Sequence, residues 1–424
     1  MQFNFFNHLI RLSNYKLIKL KRVIYCMNKA ITGNQANYSL MTIILSWSGM
    51  VVMSSLYLTI PLISLFSDYF HISLSKAGIT SSIFSLGFAT GCFFYGAISE
   101  KYGRKNVIVT GLFSLSIITL LLGMVNDFSL ILLLRGLQGL AAATFSPVAL
   151  AYTLEVFPND KKVGAVGFIS TGFLVAGIVG QVFSGYVSEH THWHVIFYVL
   201  SVVYIFTAIL VSWFLPKGVA HNQTKNIWEP MKKIGTIFTN RNLLFSYMIA
   251  FVLLMSFVSM YIILGEYLTS ASFGMSSQKL IYIRSFGFLG MIMSPFAGKL
   301  AKRFNVLFVL KVALTLSIIA LIMMSVISNI IGLTMISIIF VSGIALAVPS
   351  LVTLVGQLGW KMGGIAVSMY TVILFAGTSV APIISVYFMK TGSFTLAFIL
   401  LATTLSIGLV SAIMIKMQTK KILN

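Results

Sequence analysis

The sequence predicts an all-α polytopic membrane protein with twelve transmembrane helices. The 424-residue chain is 58% hydrophobic and only 9% charged, whereas soluble domains are usually about 25% charged. An apolar stretch of about 20 residues with few charges is long enough to cross a bilayer as a helix. Twelve such stretches, numbered here as spans 1 to 12, are centred near residues 53, 87, 116, 141, 176, 205, 254, 290, 316, 342, 376 and 405.

The distribution of basic residues predicts the orientation of these spans. With the N-terminus on the inner side, 23 of the 29 lysines and arginines lie in inner segments, and three lie in outer loops. Because short cytoplasmic loops collect Lys and Arg, this bias predicts that both termini are cytoplasmic. The net charge of +21 therefore indicates topology, and no nucleic acid partner is expected.

The longest polar interruption divides the chain into two sets of six spans. Residues 1–26 mix aromatic and basic residues without an uninterrupted apolar core, so they form either a basic amphipathic segment on the inner leaflet or, as we favour, an over-extended start ahead of Met27. The predicted organisation is a cytoplasmic basic segment, an N-terminal half, a cytoplasmic central loop, a C-terminal half and a cytoplasmic tail, at 1–40, 41–215, 216–242, 243–415 and 416–424.

Two pairs of segments indicate that the halves are repeats. GAISEKYGRK at 96–105 matches GKLAKRFN at 298–305 with an offset of 202, and KVGAVGF at 162–168 matches KMGGIAV at 361–367 with an offset of 199. Parallel six-helix repeats with a substrate cavity at their interface are a plan used by membrane transporters. The sequence therefore predicts a cavity between the halves.

The segment GAISEKYGRK resembles the loop 2–3 motif of the major facilitator superfamily, G-x-L-A-D-R-x-G-R-K. The resemblance implies a latch in which Glu100 approaches the N-terminus of span 11 and Arg104 meets Glu155 at the inner end of span 4. The positive end of a helix dipole stabilises a carboxylate, which suits the first contact. The second copy of the motif, at 298–305, has lost this acid, so only the first copy is expected to act as a latch. The predicted latch residues are Gly96, Glu100, Lys101, Gly103, Arg104, Lys105 and Glu155.

Spans 4 and 5 resemble the drug:proton antiporter branch of the same family. Arg135, Gln138 and Gly139 match its R-x-x-Q-G pattern, which implies a role in proton coupling. An arginine within a span costs about 2.5–3.5 kcal/mol and normally faces a wet cavity or a partner, so a purely structural arginine is the alternative. In span 5 the export motif is matched in part by Gly167, Gly180, Gln181 and Gly185, with Gln181 in place of proline. Simple helix packing is the alternative there.

A proton carrier is not evident within the predicted spans. The chain has eight acidic residues, none in the middle of a span, and Ser54 or Ser55 stands where some drug exporters carry an aspartate. Glu266 with Arg284 as its partner is the candidate, and a rim salt bridge of little energetic weight is the alternative. The aromatic residues expected to line the cavity are Trp47, Tyr57, Phe145 and Tyr370. The histidines of EHTHWH at 189–194 are expected to form a wet loop without a metal.

Together these features predict a secondary active transporter that works by alternating access. The resemblance implies proton-coupled efflux of drugs or small organic metabolites across a bacterial cytoplasmic membrane, by a monomer with the proton gradient as its energy source and no cofactor. A proton-coupled uptake symporter for a sugar, nucleoside or organic acid is the alternative, and a non-transporting receptor or scaffold is the alternative of another class. Because no nucleophile–base constellation or nucleotide-binding loop is present, an enzyme is not expected.

Overall fold

The computed structural model describes residues 37–217, 239–271, 273–275, 277–359 and 362–415. Residues 1–41 and 42–424 form two compact units, and the contacts reported below lie within the second. Most of the predicted N-terminal segment and central loop, and all of the predicted tail, lie outside the described residues. The described helices are α1 (Tyr38–Tyr57), α2 (Ile63–Tyr69), α3 (Leu74–Tyr102), α4 (Arg104–Met124), α5 (Phe128–Ala142), α6 (Ser146–Val156), α7 (Asn159–His190), α8 (Trp193–Phe214), α9 (Arg241–Thr269), α10 (Ser277–Met291), α11 (Phe296–Phe304), α12 (Val306–Val326), α13 (Ile330–Leu358), α14 (Gly363–Met389) and α15 (Phe394–Met414).

Eleven helical segments of the described chain are long and apolar enough to cross a membrane. The difference from the predicted twelve lies in span 8, which is divided into α10, of 15 residues, and α11, of 9 residues. Ser294 and Pro295 lie between them, and proline cannot donate the backbone hydrogen bond that a continuous helix requires at that position. The chain is therefore an all-helical multi-pass protein over its described residues, and a twelfth span stays a prediction.

The repeat predicted from sequence appears in the backbone of two turns. Gly103 separates α3 from α4 with φ of 88°, and Asn305 separates α11 from α12 with φ of 70°. Glycine adopts positive φ without steric cost, and asparagine is several-fold enriched there among other residues. The Asn305 side chain also accepts a 2.8 Å hydrogen bond from the Phe308 amide. The two turns lie at the same end of the helices, here called the turn end.

Small residues bring the two halves, α1–α8 and α9–α15, together at the turn end. A Cβ on Gly167 of α7 would lie 2.4 Å from the Ser294 carbonyl oxygen, and the Ser294 hydroxyl donates 2.8 Å to the Gly167 carbonyl. A Cβ on Gly298 of α11 would lie 2.5 Å from the Gly164 amide nitrogen. Because no side chain larger than hydrogen fits at these glycines without a shift, they allow the two backbones to touch.

Candidate functional site

A cavity of about 370 Å³ lies between the two halves. Its size is within the range of about 300–1,000 Å³ for small-molecule sites. Helices α1, α6 and α7 form the wall from the N-terminal half, and α9, α10, α13 and α14 form the wall from the C-terminal half. The lining is largely aliphatic and aromatic, so the cavity offers an apolar surface with few polar groups.

Arg284 of α10 is the charged side chain among the described residues that line the cavity. Its Nη2 donates a 3.1 Å hydrogen bond to the Tyr261 carbonyl, whereas its Nε is buried without a partner. Gly265 makes room for it, since a Cβ there would lie 2.7 Å from Nη2. The guanidinium is therefore held beside α9 with hydrogen-bonding capacity left over.

The structure places two of the four predicted aromatic residues in the cavity wall. Tyr57 and Tyr370 line the cavity. Phe145 is completely buried behind it, in edge contact with Phe173. Trp47 lies on the face of α1 that meets α8, where its Nε1 donates 3.2 Å to Thr207 Oγ1. Phe145 and Trp47 do not line this cavity, and their role in substrate binding stays a prediction.

Arg135 is completely buried inside the N-terminal half and does not line the cavity. Its guanidinium lies 4.4 Å from the centre of the Phe84 ring. The atoms that accept its hydrogen bonds are the carbonyls of Ser55 and Thr80, Thr59 Oγ1 and Gln138 Oε1. Neutral dipoles therefore satisfy this charge, and no ion pair joins Arg135 to a carboxylate within the described part of the chain. Its role in coupling stays a prediction.

The two residues that accompany Arg135 in the motif fix α5 against its neighbours. Gln138 accepts from Arg135 and donates 2.8 Å to Thr119 Oγ1 of α4. Gly139 faces α3, where a Cβ would lie 2.1 Å from the Phe84 carbonyl oxygen. The motif thus contains a buried polar network next to a close helix–helix contact.

At the turn end, Arg104 joins α3, α4 and α6. The side chain is 4% exposed, and its Nη2 lies 2.7 Å from Glu155 Oε1 and 3.4 Å from Glu100 Oε1. Its Nη1 donates to Ser99 Oγ at 2.7 Å and to the Gly96 carbonyl at 3.3 Å. The contact between Arg104 and Glu155 expected from the sequence is present, and its action as a latch stays a prediction.

The same cluster meets the start of α14 in the other half. A Cβ on Gly364 would lie 2.1 Å from Arg104 Nη2 and 2.6 Å from Glu100 Oε1, and a Cβ on Gly96 would lie 2.1 Å from Ser368 Oγ. Glu100 is thus at the N-terminus of α14, the positive end of that helix dipole. The remaining motif lysines are peripheral: Lys105 Nζ donates 2.7 Å to the Ser212 carbonyl, and Lys101 lies 5.4 Å from the Tyr102 ring centre.

The second copy of the motif also makes a contact between the halves, which the sequence analysis did not expect. Lys302, which replaces Glu100 in the repeat, lies 3.6 Å from Asp160 at the start of α7. The motif residue is acidic in the first copy, where Glu100 lies at the start of α14, and basic in the second copy, where Lys302 lies at the start of α7. The side chains of Lys302 and Asp160 are both more than half exposed. The exposed pair is a contact that the sequence analysis did not include, and the expectation that only the first copy acts as a latch stays a prediction.

The export-motif residues of α7 have different neighbours. Gly167 contacts the C-terminal half, and a Cβ on Gly180 would lie 2.7 Å from the Ser54 carbonyl of α1. Gly185 is less crowded, with Pro61 4.0 Å from its Cβ position. Gln181 lines the cavity, and its Nε2 donates 2.7 Å to the Gly177 carbonyl. Gly167 and Gly180 therefore act in close packing, whichever way a solute moves.

The predicted pair of Glu266 and Arg284 is not in contact. Glu266 is exposed, and no ion pair joins it to Arg284 within 4.0 Å among the described residues. Among the histidines of EHTHWH, His190 stacks on Tyr186 at 4.3 Å, and His194 Nε2 lies 2.7 Å from Asn126 Oδ1. No group of three or more possible metal ligands occurs in the part of the chain described.

Comparisons with known proteins give a consistent family. A model described as the Major Facilitator Superfamily matches residues 45–363. An uncharacterized transporter of Buchnera aphidicola subsp. Baizongia pistaciae is 27% identical over 398 residues, which cover 92% of this chain and 97% of the relative. A bicyclomycin resistance protein homolog of Haemophilus influenzae is 32% identical over 140 residues, 32% of this chain and 35% of the relative. The crystal structure of the transporter FucP in the outward conformation has a TM-score of 0.72 at 14% identity, covering 90% of this chain and 100% of that one.

Proposed function

This chain belongs to the major facilitator superfamily, whose members transport small molecules, often with protons, and we propose that it couples efflux of drugs or small organic metabolites to proton entry. The observation that carries the proposal is the cavity between the halves, with contacts between the halves gathered at the turn end below it. A carrier that alternates access needs one such cavity and a closure that can open. The chain is therefore proposed to be a secondary active antiporter.

The membrane arrangement follows from the same proposal. The protein has twelve spans, with α10 and α11 together crossing as the eighth, and both termini are cytoplasmic because 23 of the 29 lysines and arginines lie in the segments that the sequence predicts to be on the inner side. The bacterial relatives support a location in the cytoplasmic membrane. The protein acts as a monomer without a cofactor, and the central loop at 216–242 joins its halves.

In the proposed cycle, Glu100, Arg104 and Glu155 hold the cytoplasmic end closed while the cavity faces outward. Opening of this end requires Gly364 to separate from Arg104 and Glu100. One proton moving down about 100 mV supplies about 2.3 kcal/mol, enough for about a fiftyfold gradient of a neutral solute. Glu266 is the proposed proton carrier, and Arg135 a proposed coupling residue.

The proposed direction of transport is export. The bicyclomycin resistance relative supports export, as does the partial resemblance of α7 to the export motif. Gln181 in place of proline, and Ser54 or Ser55 in place of an aspartate, keep proton-coupled uptake as the second candidate. A receptor or scaffold would show no solute flux at all.

Proteoliposomes that contain a trapped pH dye test the proposal. Under an imposed pH gradient, a transported member of a solute panel is expected to cause saturable proton flux, and Arg135→Ala is expected to reduce it at least tenfold. Energised cells that lose the same solute would establish export, whereas accumulation would establish uptake. Absence of solute-dependent proton flux for every member would refute proton coupling.

A further inference from the structure

We propose that the central cavity binds an organic anion with an apolar body, and that Arg284 holds its negative group; this deepens the proposed transport function and rests on it. Arg284 supplies the charge of the cavity wall in the described chain, and no described lining residue is acidic. The wall therefore carries positive charge. A cationic drug would meet no carboxylate there.

The hydrogen-bonding state of the wall supports the same substrate class. Four lining residues have polar atoms that are buried beneath the cavity surface without a partner: Arg284 Nε, Tyr261 Oη, Tyr370 Oη and Ser170 Oγ. A buried polar group without a hydrogen bond costs about 1–3 kcal/mol, so a side-chain rotation that turns one of these atoms toward a bound acceptor is favourable. Each of these atoms can donate, and a carboxylate has only acceptor oxygens.

Glu266 attracts Arg284 electrostatically but does not contact it. Glu266 lies on α9 five residues beyond Tyr261, but it is exposed and makes no ion pair with Arg284 within 4.0 Å among the described residues. The guanidinium instead donates a hydrogen bond to the Tyr261 carbonyl and occupies the space left by Gly265. A charged side chain in an apolar wall is unfavourable unless it is paired, and an anionic solute supplies the missing partner.

The rest of the cavity selects the body of the ligand. Leu254, Phe257, Leu374 and Phe375 are among its aliphatic and aromatic lining, and the volume of about 370 Å³ is at the small end of small-molecule sites. A compact aromatic or aliphatic acid fits this combination better than a sugar, which needs many hydrogen-bonding groups around it. The proposed ligand class is a small amphipathic monocarboxylate.

Three probes with one skeleton and different charge test the inference: cinnamate, cinnamamide and cinnamylamine. Binding of labelled cinnamate to the full chain in lipid nanodiscs is measured by equilibrium dialysis, with the other two as competitors and protein-free nanodiscs as the blank. Cinnamate is expected to bind at least tenfold more tightly than cinnamamide, because hydrogen bonds to a charged group contribute more than neutral ones. Arg284→Gln is expected to remove this preference, and Arg284→Lys to retain part of it.

Arg241→Gln is the matched control, because Arg241 is exposed at the start of α9 and does not line the cavity. Thermal unfolding of each variant shows whether it is folded, and Arg284→Lys keeps the test decisive if Arg284→Gln does not fold. Equal binding of the amide or the amine, absence of cinnamate binding to the parent, or an unchanged preference in Arg284→Gln would each overturn the inference.

Flux in proteoliposomes separates this inference from the transport proposal. If the parent transports cinnamylamine and does not bind cinnamate, the transport proposal is supported and the anion-site proposal is wrong. If cinnamate binds in an Arg284-dependent way without any flux, the anion site stands and the transport proposal falls.

Discussion

Gly364→Ala is the substitution that most directly weakens the contact between the halves at the turn end. The new methyl group would lie 2.1 Å from Arg104 Nη2 and 2.6 Å from Glu100 Oε1. Ordinary carbon contacts are about 3.5–4.0 Å, so the guanidinium and the carboxylate must each retreat by about 1 Å or more. Alanine is otherwise a better helix former than glycine, so α14 itself is not weakened.

The expected magnitude follows from the groups that must move. Overpacking of a tight contact costs about 1–3 kcal/mol. Arg104 cannot retreat freely, because Glu155 holds its Nη2 at 2.7 Å and Ser99 holds its Nη1 at 2.7 Å. The conformation that is closed at the turn end therefore loses about 1–3 kcal/mol, which shifts its population relative to the open one by about 5- to 150-fold.

Double electron–electron resonance measures this population shift as a change in the distribution of distances between two spin labels. Tyr102→Cys and Phe304→Cys place labels at exposed, repeat-related positions next to the two turns, in a background that carries Cys26→Ser and Cys92→Ser. The parent is expected to give one dominant short distance. Gly364→Ala is expected to add a population at longer distance.

The control is Gly164→Ala, at the start of α7 in the other repeat. A Cβ at Gly164 meets nothing within 4 Å, so this variant should give the distances of the parent. If Gly364→Ala is folded and has the same distance distribution as the parent, the turn-end contact does not control opening, and the proposed latch is wrong.

Three further predictions concern the charged groups. Arg104→Ala should leave the protein in the membrane and reduce solute flux at least tenfold, because Glu155 and Glu100 lose their shared partner; flux and membrane abundance are measured together. Asp160→Asn should change flux by less than about twofold, because the exposed pair with Lys302 contributes about 1 kcal/mol or less. Arg135→Ala should lower the thermal unfolding temperature, because the buried Gln138 Oε1 loses the donor it has in the parent, at about 1–3 kcal/mol.

Each of these has a contradicting outcome. Normal flux in Arg104→Ala would remove the latch from the mechanism. Loss of flux in Asp160→Asn would mean that the Lys302–Asp160 pair contributes more to closing the turn end than is expected of an exposed ion pair. An unchanged unfolding temperature in Arg135→Ala would show that the N-terminal half repacks around the site.

The sequence predicted the turn-end contacts because charge and backbone geometry are both local there. Gly103 marks a turn that needs positive φ, and the motif resemblance supplied Glu155 as the acid for Arg104. The pairing of Lys302 with Asp160 was missed, although both residues lie on the predicted inner side. The second copy of the motif was searched only for an acidic residue equivalent to Glu100, and a basic residue with an acidic partner was not considered.

Positions inside the bundle were less predictable, because an apolar helix offers little information about which face meets which neighbour. Trp47 and Tyr57 lie on one helix, yet only Tyr57 reaches the cavity. The division of span 8 into α10 and α11 at Pro295 was likewise not predicted, because hydropathy averaged over about 20 residues does not respond to a single interruption of the helix. The open hydrogen-bonding capacity of Arg284 is visible only once Tyr261 and Gly265 are in place.

The central claim is that one cavity alternates between the two sides of the membrane, and counterflow in proteoliposomes tests it most directly. Vesicles are loaded with an excess of an unlabelled solute that the protein binds, and are diluted into a trace of the same solute in labelled form without any pH gradient. A carrier with one alternating site should accumulate the label transiently above its equilibrium level. Label that enters only to equilibrium, at a rate independent of the internal solute, would contradict alternating access through this cavity.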